Sequence, residues 1–541
     1  MSDLTRPLHA PTRRSLSAIA ASLLPRTGRP PLVHLLGAAM ALAACWRIWH
    51  SFGHMLWLDE LYTTTLIETP SLTHMWDGAL RGVDGNPPLY LSLCWFVTQG
   101  FALEPERILR PLNLLILAAT AVLQYRIGRR LADPVSVAVG LSILCAVDGM
   151  LAYALLEVRT YALYLLLTTA TLWGTLRVVD RPSPARIAGL AGLGILTALA
   201  HSFGGLYVLA TLGAAGLVCL FNRDRQRMVA LAVSALPAAT TTVGWFLLLL
   251  PVQRASATPY GWIPVPDLPV LVAALTGSLL LTPILAVGLC GVAVSNRPGL
   301  GRAAARSVSR PDIAALYAAL AAYAALTLAG WIGSQMITPF FVARYFIPNV
   351  TIAAMLIIPA IGSARRQVRA GLSAMVIVIG SLAGLGSIAH DDGVGNGFIP
   401  CLDSDGRFLE HGIAGDALPV VAESPLAWLP RNRYAPRQLT LYPLDWEVVL
   451  RYPHKARNNA MDFHIMEMLQ NWGEPGSALS ARLLSTADIL AQHPRFLVLD
   501  ESSRAWLDNL LASVPLSAKL LKQNEGCRLW EVGAVTTPAG D

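Results

Sequence analysis

The feature that most constrains this chain is a rhythm. Apolar runs of about twenty residues recur along most of it, and short connectors rich in arginine separate them. A helix of that length crosses the hydrocarbon of a bilayer. Lipid also demands that every backbone N–H and C=O be satisfied within the spanning structure, which leaves helices as the natural solution. Composition agrees, since 54% of the 541 residues are hydrophobic and only 14% are charged. Mean hydropathy is +0.51, too apolar for an ordinary soluble protein of this size. The net charge of +7 is a poor argument for nucleic-acid binding. The arginines cluster in connectors between apolar runs, where positive charge marks the cytoplasmic side of a membrane.

Placing each cluster on that side gives one consistent topology. Residues 1–30 carry Arg6, Arg13, Arg14, Arg26 and Arg29 and read as a cytoplasmic tail. The run 15–24 is too short to span, and no convincing small-residue cleavage signature follows it. A first span is expected over 31–53, with Arg47 snorkelling towards its outer end. Residues 54–108 then form one long outer loop with interfacial helices. A span at 87–101 would put Arg126, Arg129 and Arg130 outside. Further spans are expected near 109–127, 135–152, 160–176, 187–203, 204–221, 228–250, 269–292, 313–333, 345–362 and 370–389. The prediction is a polytopic α-helical membrane protein with about eleven transmembrane helices. In the outer connector 259–264, Tyr260 and Trp262 read as interfacial anchors, with sugar stacking as the other option.

Composition changes after about residue 390, where hydropathy falls and all three lysines follow, at Lys455, Lys519 and Lys522. Residues 390–541 are expected to form a small α/β domain outside the membrane. Strands are predicted at 495–500 and 527–532, helices at 486–492 and 504–512. Cys45, Cys94, Cys145, Cys219 and Cys290 lie in or beside apolar runs and read as small hydrophobes. Cys401 and Cys527 are the two in the polar part, and an oxidising exterior permits a disulfide between them. Two unpaired buried cysteines are the other reading.

Several polar groups fall on the outer side, at the ends of separate spans: Asp59-Glu60, Asp84 with Asn86, Glu157 with Arg159, Arg344 and, as a further candidate, His201. Singly, each reads as a topological charge. A local ion pair is one reading of Glu157 with Arg159, and an interhelical hydrogen bond is one reading of His201. Together they suit a substrate with a lipid tail and an anionic head. A guanidinium pairs with phosphate through a planar fork, and a carboxylate serves as a base towards a hydroxyl.

The set resembles the GT-C superfamily of membrane glycosyltransferases, closest to bacterial relatives of protein O-mannosyltransferases and of the aminoarabinose transferases that modify lipid A. Asp59-Glu60 matches the acidic pair that opens the first outer loop in that family. Asn86-Pro87-Pro88-Leu89-Tyr90 resembles a following His-Pro-Pro-Leu-Tyr motif, with Asn where the family often has His. Glu157, Arg159 and Tyr161 match a Glu-x-Arg-x-Tyr motif, and His201-Ser202-Phe203 resembles a His-aromatic pattern. Arg344-Tyr345-Phe346-Ile347-Pro348 matches an Arg-Tyr-apolar-apolar-Pro motif that opens a late span. The likeness covers about residues 30–390.

The resemblance implies sugar transfer, with inversion, from a polyprenyl-phosphate donor to a hydroxyl acceptor on a glycan, lipid or protein. The place would be the outer face of a bacterial inner membrane. Asp59 and Glu60 would be the catalytic carboxylates; Asp84, Asn86, Tyr90, Glu157, Arg159, Tyr161, His201, Arg344 and Tyr345 would bind substrate. No cofactor is required, with a divalent cation as an option. The alternative is a transporter or flippase of lipid-linked sugars, although no inverted repeat is visible and the acidic pair sits at the surface. A sugar-lipid polymerase or ligase of different architecture is a third reading.

Overall fold

A computed structural model describes residues 29–101, 103–256, 263–277, 310–337, 339–363, 371–372, 374–375, 399–413, 418–444, 460–473, 479–501, 505–524 and 526–534. Its long helices are α1 (Arg29–Ser51), α5 (Pro105–Gly128), α8 (Tyr161–Asp180), α10 (Gly204–Phe221), α11 (Arg225–Ser256) and α13 (Pro311–Met336). Three shorter helices lie between α1 and α5: α2 (Leu58–Ile67), α3 (Leu72–Leu80) and α4 (Leu89–Gly100). The twelve residues of α4 rise about 18 Å, too little to cross a bilayer. The remaining membrane elements are α6 (Pro134–Val147), α7 (Gly149–Leu156), α9 (Pro184–Ala200), α12 (Leu268–Thr276), a 3-10 turn (Ala343–Asn349) and α14 (Val350–Ser363).

By length and composition, seven helices among the described residues can span, or eight if a bent pair counts as one. The eleven expected spans are therefore not all visible. The tail 1–28, most of the connector 259–264, the later part of 269–292 and most of 370–389 lie outside the described residues. The expected single span 135–152 is broken at Asp148, where α6 and α7 meet at a 72° bend. The cause is local. Asp148 Oδ1 accepts the N–H groups of Met150 and Leu151 at 2.8 and 3.1 Å, so a new helix starts there. Other starts follow the same logic with proline added: Asp133-Pro134 and Ser183-Pro184 cap their helices with a side-chain oxygen, and the proline needs no N–H there. Gly277, at φ +80, ends α12. A Cβ there would stand 2.1 Å from Asp148 Oδ2, so glycine alone allows this approach.

Between apolar helices in lipid, small and hydroxyl side chains supply much of the adhesion. Thr171 on α8 meets Thr197 on α9 at 3.0 Å. Asn349 donates to Thr327 on α13 at 2.7 Å and to the Ala274 carbonyl on α12 at 2.8 Å, and accepts from Tyr207 on α10 at 3.2 Å. The 3-10 turn is thereby tied to three helices.

The C-terminal region builds a six-stranded sheet from β1 (Val420–Ala422), β2 (Thr440–Pro443), β3 (Leu483–Leu484), β4 (Arg495–Glu501), β5 (Leu516–Gln523) and β6 (Cys527–Ala534), in the order β3-β2-β1-β4-β6-β5. The first four are parallel, and β6 joins β4 and β5 antiparallel. Four helices accompany it: α15 (Pro425–Tyr434), α16 (Ala460–Trp472), α17 (Thr486–Gln492) and α18 (Trp506–Ser513). Cys401 is bonded to Cys527, with Cα atoms 5.1 Å apart. One apolar core is shared across this region and the short helices: Leu61, Leu66, Met75 and Tyr90 pack in the same cluster as Trp428, Tyr442 and Leu529.

Candidate active site

Helix α2 begins at the head of the cleft. Glu60, its third residue, accepts the Trp57 N–H with Oε2 at 3.1 Å and the Val158 N–H with Oε1 at 2.7 Å. This carboxylate caps the helix and staples it to the loop before α8. Burial pushes Glu60 up to about 7, against the opposing charge of Arg110. Expected as a catalytic carboxylate, it is engaged by backbone and is 3% exposed.

Asp59, one residue earlier, faces differently. Its Oδ2 meets Arg344 Nη2 at 3.0 Å, and their side chains keep 24% and 15% exposure. Arg344 comes from the 3-10 turn, 285 residues away in sequence. Its guanidinium carbon lies 5.0 Å from the Trp57 ring centre, 5.8 Å from Tyr153 and 5.9 Å from Tyr345, within cation–π range.

Behind this pair sits a second. Arg159 reaches Asp84 with Nη1 at 2.5 Å and Nη2 at 3.4 Å. The same Nη1 donates to the Asp59 carbonyl and to Thr63 Oγ1, both at 3.0 Å. Asn86 donates to Asp84 Oδ1 from its backbone N–H at 3.0 Å and its side chain at 3.1 Å. Asn86 thus holds the loop at Asp84, a hydrogen-bonding part that needs no titrating group. Glu157 pairs with neither arginine; its carbonyl accepts Asn113 Nδ2 at 2.6 Å. Burial, then the nearby Glu60 charge, holds its carboxyl well above the usual range. The local Glu157–Arg159 ion pair is therefore not what the chain forms.

His201 stacks on Tyr164 at 4.5 Å between ring centres, with Tyr345 at 5.4 Å and Tyr161 at 6.0 Å. Its Nδ1 accepts the Phe203 N–H at 3.1 Å, which leaves the ring proton on Nε2. That nitrogen is buried with no protein hydrogen-bond partner among the described residues. Tyr90 is not part of the cleft: its hydroxyl donates to Asn113 at 3.4 Å in the core. An apolar cavity of about 260 Å³ opens nearby, between Trp76 and Leu80 of α3, Pro88, Leu199 of α9 and Trp245 of α11. No trio of His, Cys, Asp or Glu that could hold a metal ion is found among the described residues.

No protein-family model matches the sequence, and a search of curated proteins finds no match. Solved structures do match. The structure of ArnT from Cupriavidus metallidurans bound to undecaprenyl phosphate aligns over 94% of this chain and 99% of its own, at 12% identity and a TM-score of 0.54. Its apo form aligns over 92% and 98%, at 12% identity and 0.53. The chain shares the fold of these ArnT structures. At such low identity the likeness speaks for the fold, and the side chains must speak for themselves.

Within this fold, residues from four expected motifs converge: Asp59, Asp84 with Asn86, Arg159 and Arg344. Sequence reasoning missed Thr63, Trp57, Tyr153, Asn113 and Arg110. Arg110 is buried inside the apolar span α5, donating to the Leu156 and Ser51 carbonyls at 2.9 and 2.5 Å. An arginine among the apolar residues of such a helix was the signal that could have found it.

Proposed function

We propose that this protein is an inverting glycosyltransferase that moves a sugar from a polyprenyl-phosphate donor to a hydroxyl acceptor. It acts at the outer face of a bacterial inner membrane, with about eleven spans and with residues 390–541 outside. The observation that carries the reading is the Asp59–Arg344 pair at 3.0 Å, accessible and braced by a dry second pair. The acceptor oxygen attacks the anomeric carbon as its proton passes to Asp59. The bond from that carbon to the lipid phosphate oxygen breaks on the opposite face, so configuration inverts. The phosphate leaves with the electron pair, and the guanidinium of Arg344 neutralises its charge. Arg159, Asp84 and Glu60 position Asp59, and no cofactor enters. His201 offers a neutral N–H donor to the sugar or phosphate. Carrying a prenyl tail suits the apolar cavity beside Pro88.

The likeness to an undecaprenyl-phosphate-bound ArnT supports this reading at the level of fold. The test is mass spectrometry of envelope glycans from cells carrying the wild type or Asp59→Asn. A glycan mass increment present only with wild type names the sugar and the acceptor. Identical glycans with both, given equal expression, would overturn the reading.

A further inference from the structure

A second charged cluster touches α2, and the cleft makes no use of it. In the last turn of α15, Arg433 grips Glu106 with a fork, Nε to Oε1 and Nη2 to Oε2, both at 3.0 Å. Its Nη1 reaches Glu68 at 2.7 Å, and Nη2 lies 3.5 Å from Glu104. The next residue, Tyr434, accepts the Leu56 N–H with its hydroxyl at 2.9 Å and donates to Glu106 Oε1 at 3.0 Å. Leu56 lies three residues before Asp59, and Glu68 is the C-cap of α2. Two consecutive side chains of the sheet-bearing region therefore hold both ends of the helix that carries Asp59.

These are not loose surface contacts. The Arg433 and Glu106 side chains are 14% and 12% exposed, and partial burial with a forked geometry strengthens such a pair. The two regions also share an apolar core. Trp472 of α16 stacks on His74 of α3 at 4.5 Å and donates to its carbonyl at 2.8 Å. Gly78 makes room for that indole, since a Cβ there would stand 2.9 Å from Trp472 Nε1.

Arg344 has a different anchor. Its 3-10 turn is fixed to α10, α12 and α13 through Asn349. Asp59 is thus held from two sides, by Glu60 and Arg159 at the loop before α8 and by Arg433 and Tyr434 of α15, which bear on the two ends of its helix. We infer that Arg433 and Tyr434 are positioning residues that set where Asp59 stands relative to Arg344. The functional half of this inference rests on the proposed donor, whereas the mechanical half stands alone.

The experiment uses the full chain in lipid nanodiscs, with Tyr434→Phe as the mild variant and Arg433→Gln as the stronger one. Hydrogen exchange at the amides of α2 should quicken about tenfold, while α8 stays unchanged. Binding of undecaprenyl phosphate, scored per folded molecule, should weaken about fivefold in Tyr434→Phe, with melting near that of wild type. Arg433→Lys should recover part of the binding, because it keeps the charge and loses the fork. Unchanged exchange at α2 in both variants overturns the latch. Faster exchange with unchanged binding makes the contact a brace for folding only and overturns the positioning role. If wild type itself fails to bind undecaprenyl phosphate, the donor reading falls, and the exchange result alone decides the latch. Should Arg433→Gln fail to fold because Glu106 is left unpaired, Tyr434→Phe carries the same two measurements.

Discussion

Two aspartate–arginine pairs stand within one cleft, and they are built to opposite specifications. Asp84 and Arg159 keep 4% and 9% of their side-chain exposure, and Asn86 and Thr63 saturate the same oxygens. Asp59 and Arg344 keep 24% and 15%, and meet through one oxygen and one nitrogen at 3.0 Å. The first pair has little room for anything but itself. The second has edges that water or a substrate can reach. A buried, fully bonded pair is costly to break and contributes geometry. A part-exposed pair contributes little to stability and can exchange partners.

If this contrast is right, removing Asp59 should cost chemistry and spare the fold. Asp59→Asn is expected to lower turnover with a polyprenyl-phosphate sugar by about a hundred- to ten-thousand-fold, with melting close to wild type. Turnover near wild type in folded Asp59→Asn would break the comparison at its active end. Asp84→Ala should do the reverse. It strands the buried Arg159 cation and is expected to cost about 3–5 kcal/mol of stability, read as lost melting temperature in lipid. A variant as stable as wild type would show the dry pair to be dispensable.

Glu60 sharpens the same point through pH. Its folded pKa of about 7 lies above the ordinary 4.5. Between those values the folded chain holds the proton and the unfolded chain does not. Stability should therefore be highest below pH 4.5 and fall as pH rises towards 7, by at most about 3 kcal/mol from this group. Glu60→Gln should flatten that slope in melting measured against pH, and an unchanged slope would remove Glu60 as its source. The smallest effect concerns geometry at Arg344. Arg344→Lys keeps the charge without the fork and should weaken undecaprenyl-phosphate binding about tenfold. Equal binding by the lysine variant would mean that charge alone suffices there.

The wet pair was legible in the sequence and the brace only in part. Asp59 and Arg344 announce themselves because charges at the ends of apolar runs stand out, and the arginine sidedness puts both outside. Arg159 and Asp84 were visible as candidates, but their pairing depends on a fold that brings together residues 75 apart. Strands β4 and β6 and helix α17 were readable from their apolar patterns, whereas β1 and β3, three and two residues long, carry no periodicity to read. Arg433 and Tyr434 were not singled out. Nothing local marks them, since their partners lie more than three hundred residues earlier. The break at Asp148 was missed because an N-cap inside an apolar run looks like one more polar interruption.

The shared core between the short helices and the sheet has a consequence in time. Leu56 and Tyr434 are 378 positions apart, and ribosomes add about 5–20 residues per second, so roughly 20–75 s pass between their syntheses. During that interval Leu61, Leu66, Met75 and Tyr90 have emerged while their partners Trp428, Tyr442 and Leu529 do not yet exist. The nascent loop must wait with an uncovered apolar face beside the membrane surface. A lipid headgroup layer or a chaperone is the natural temporary cover. Closure of the later-made region over this earlier-made loop is therefore a late step in maturation.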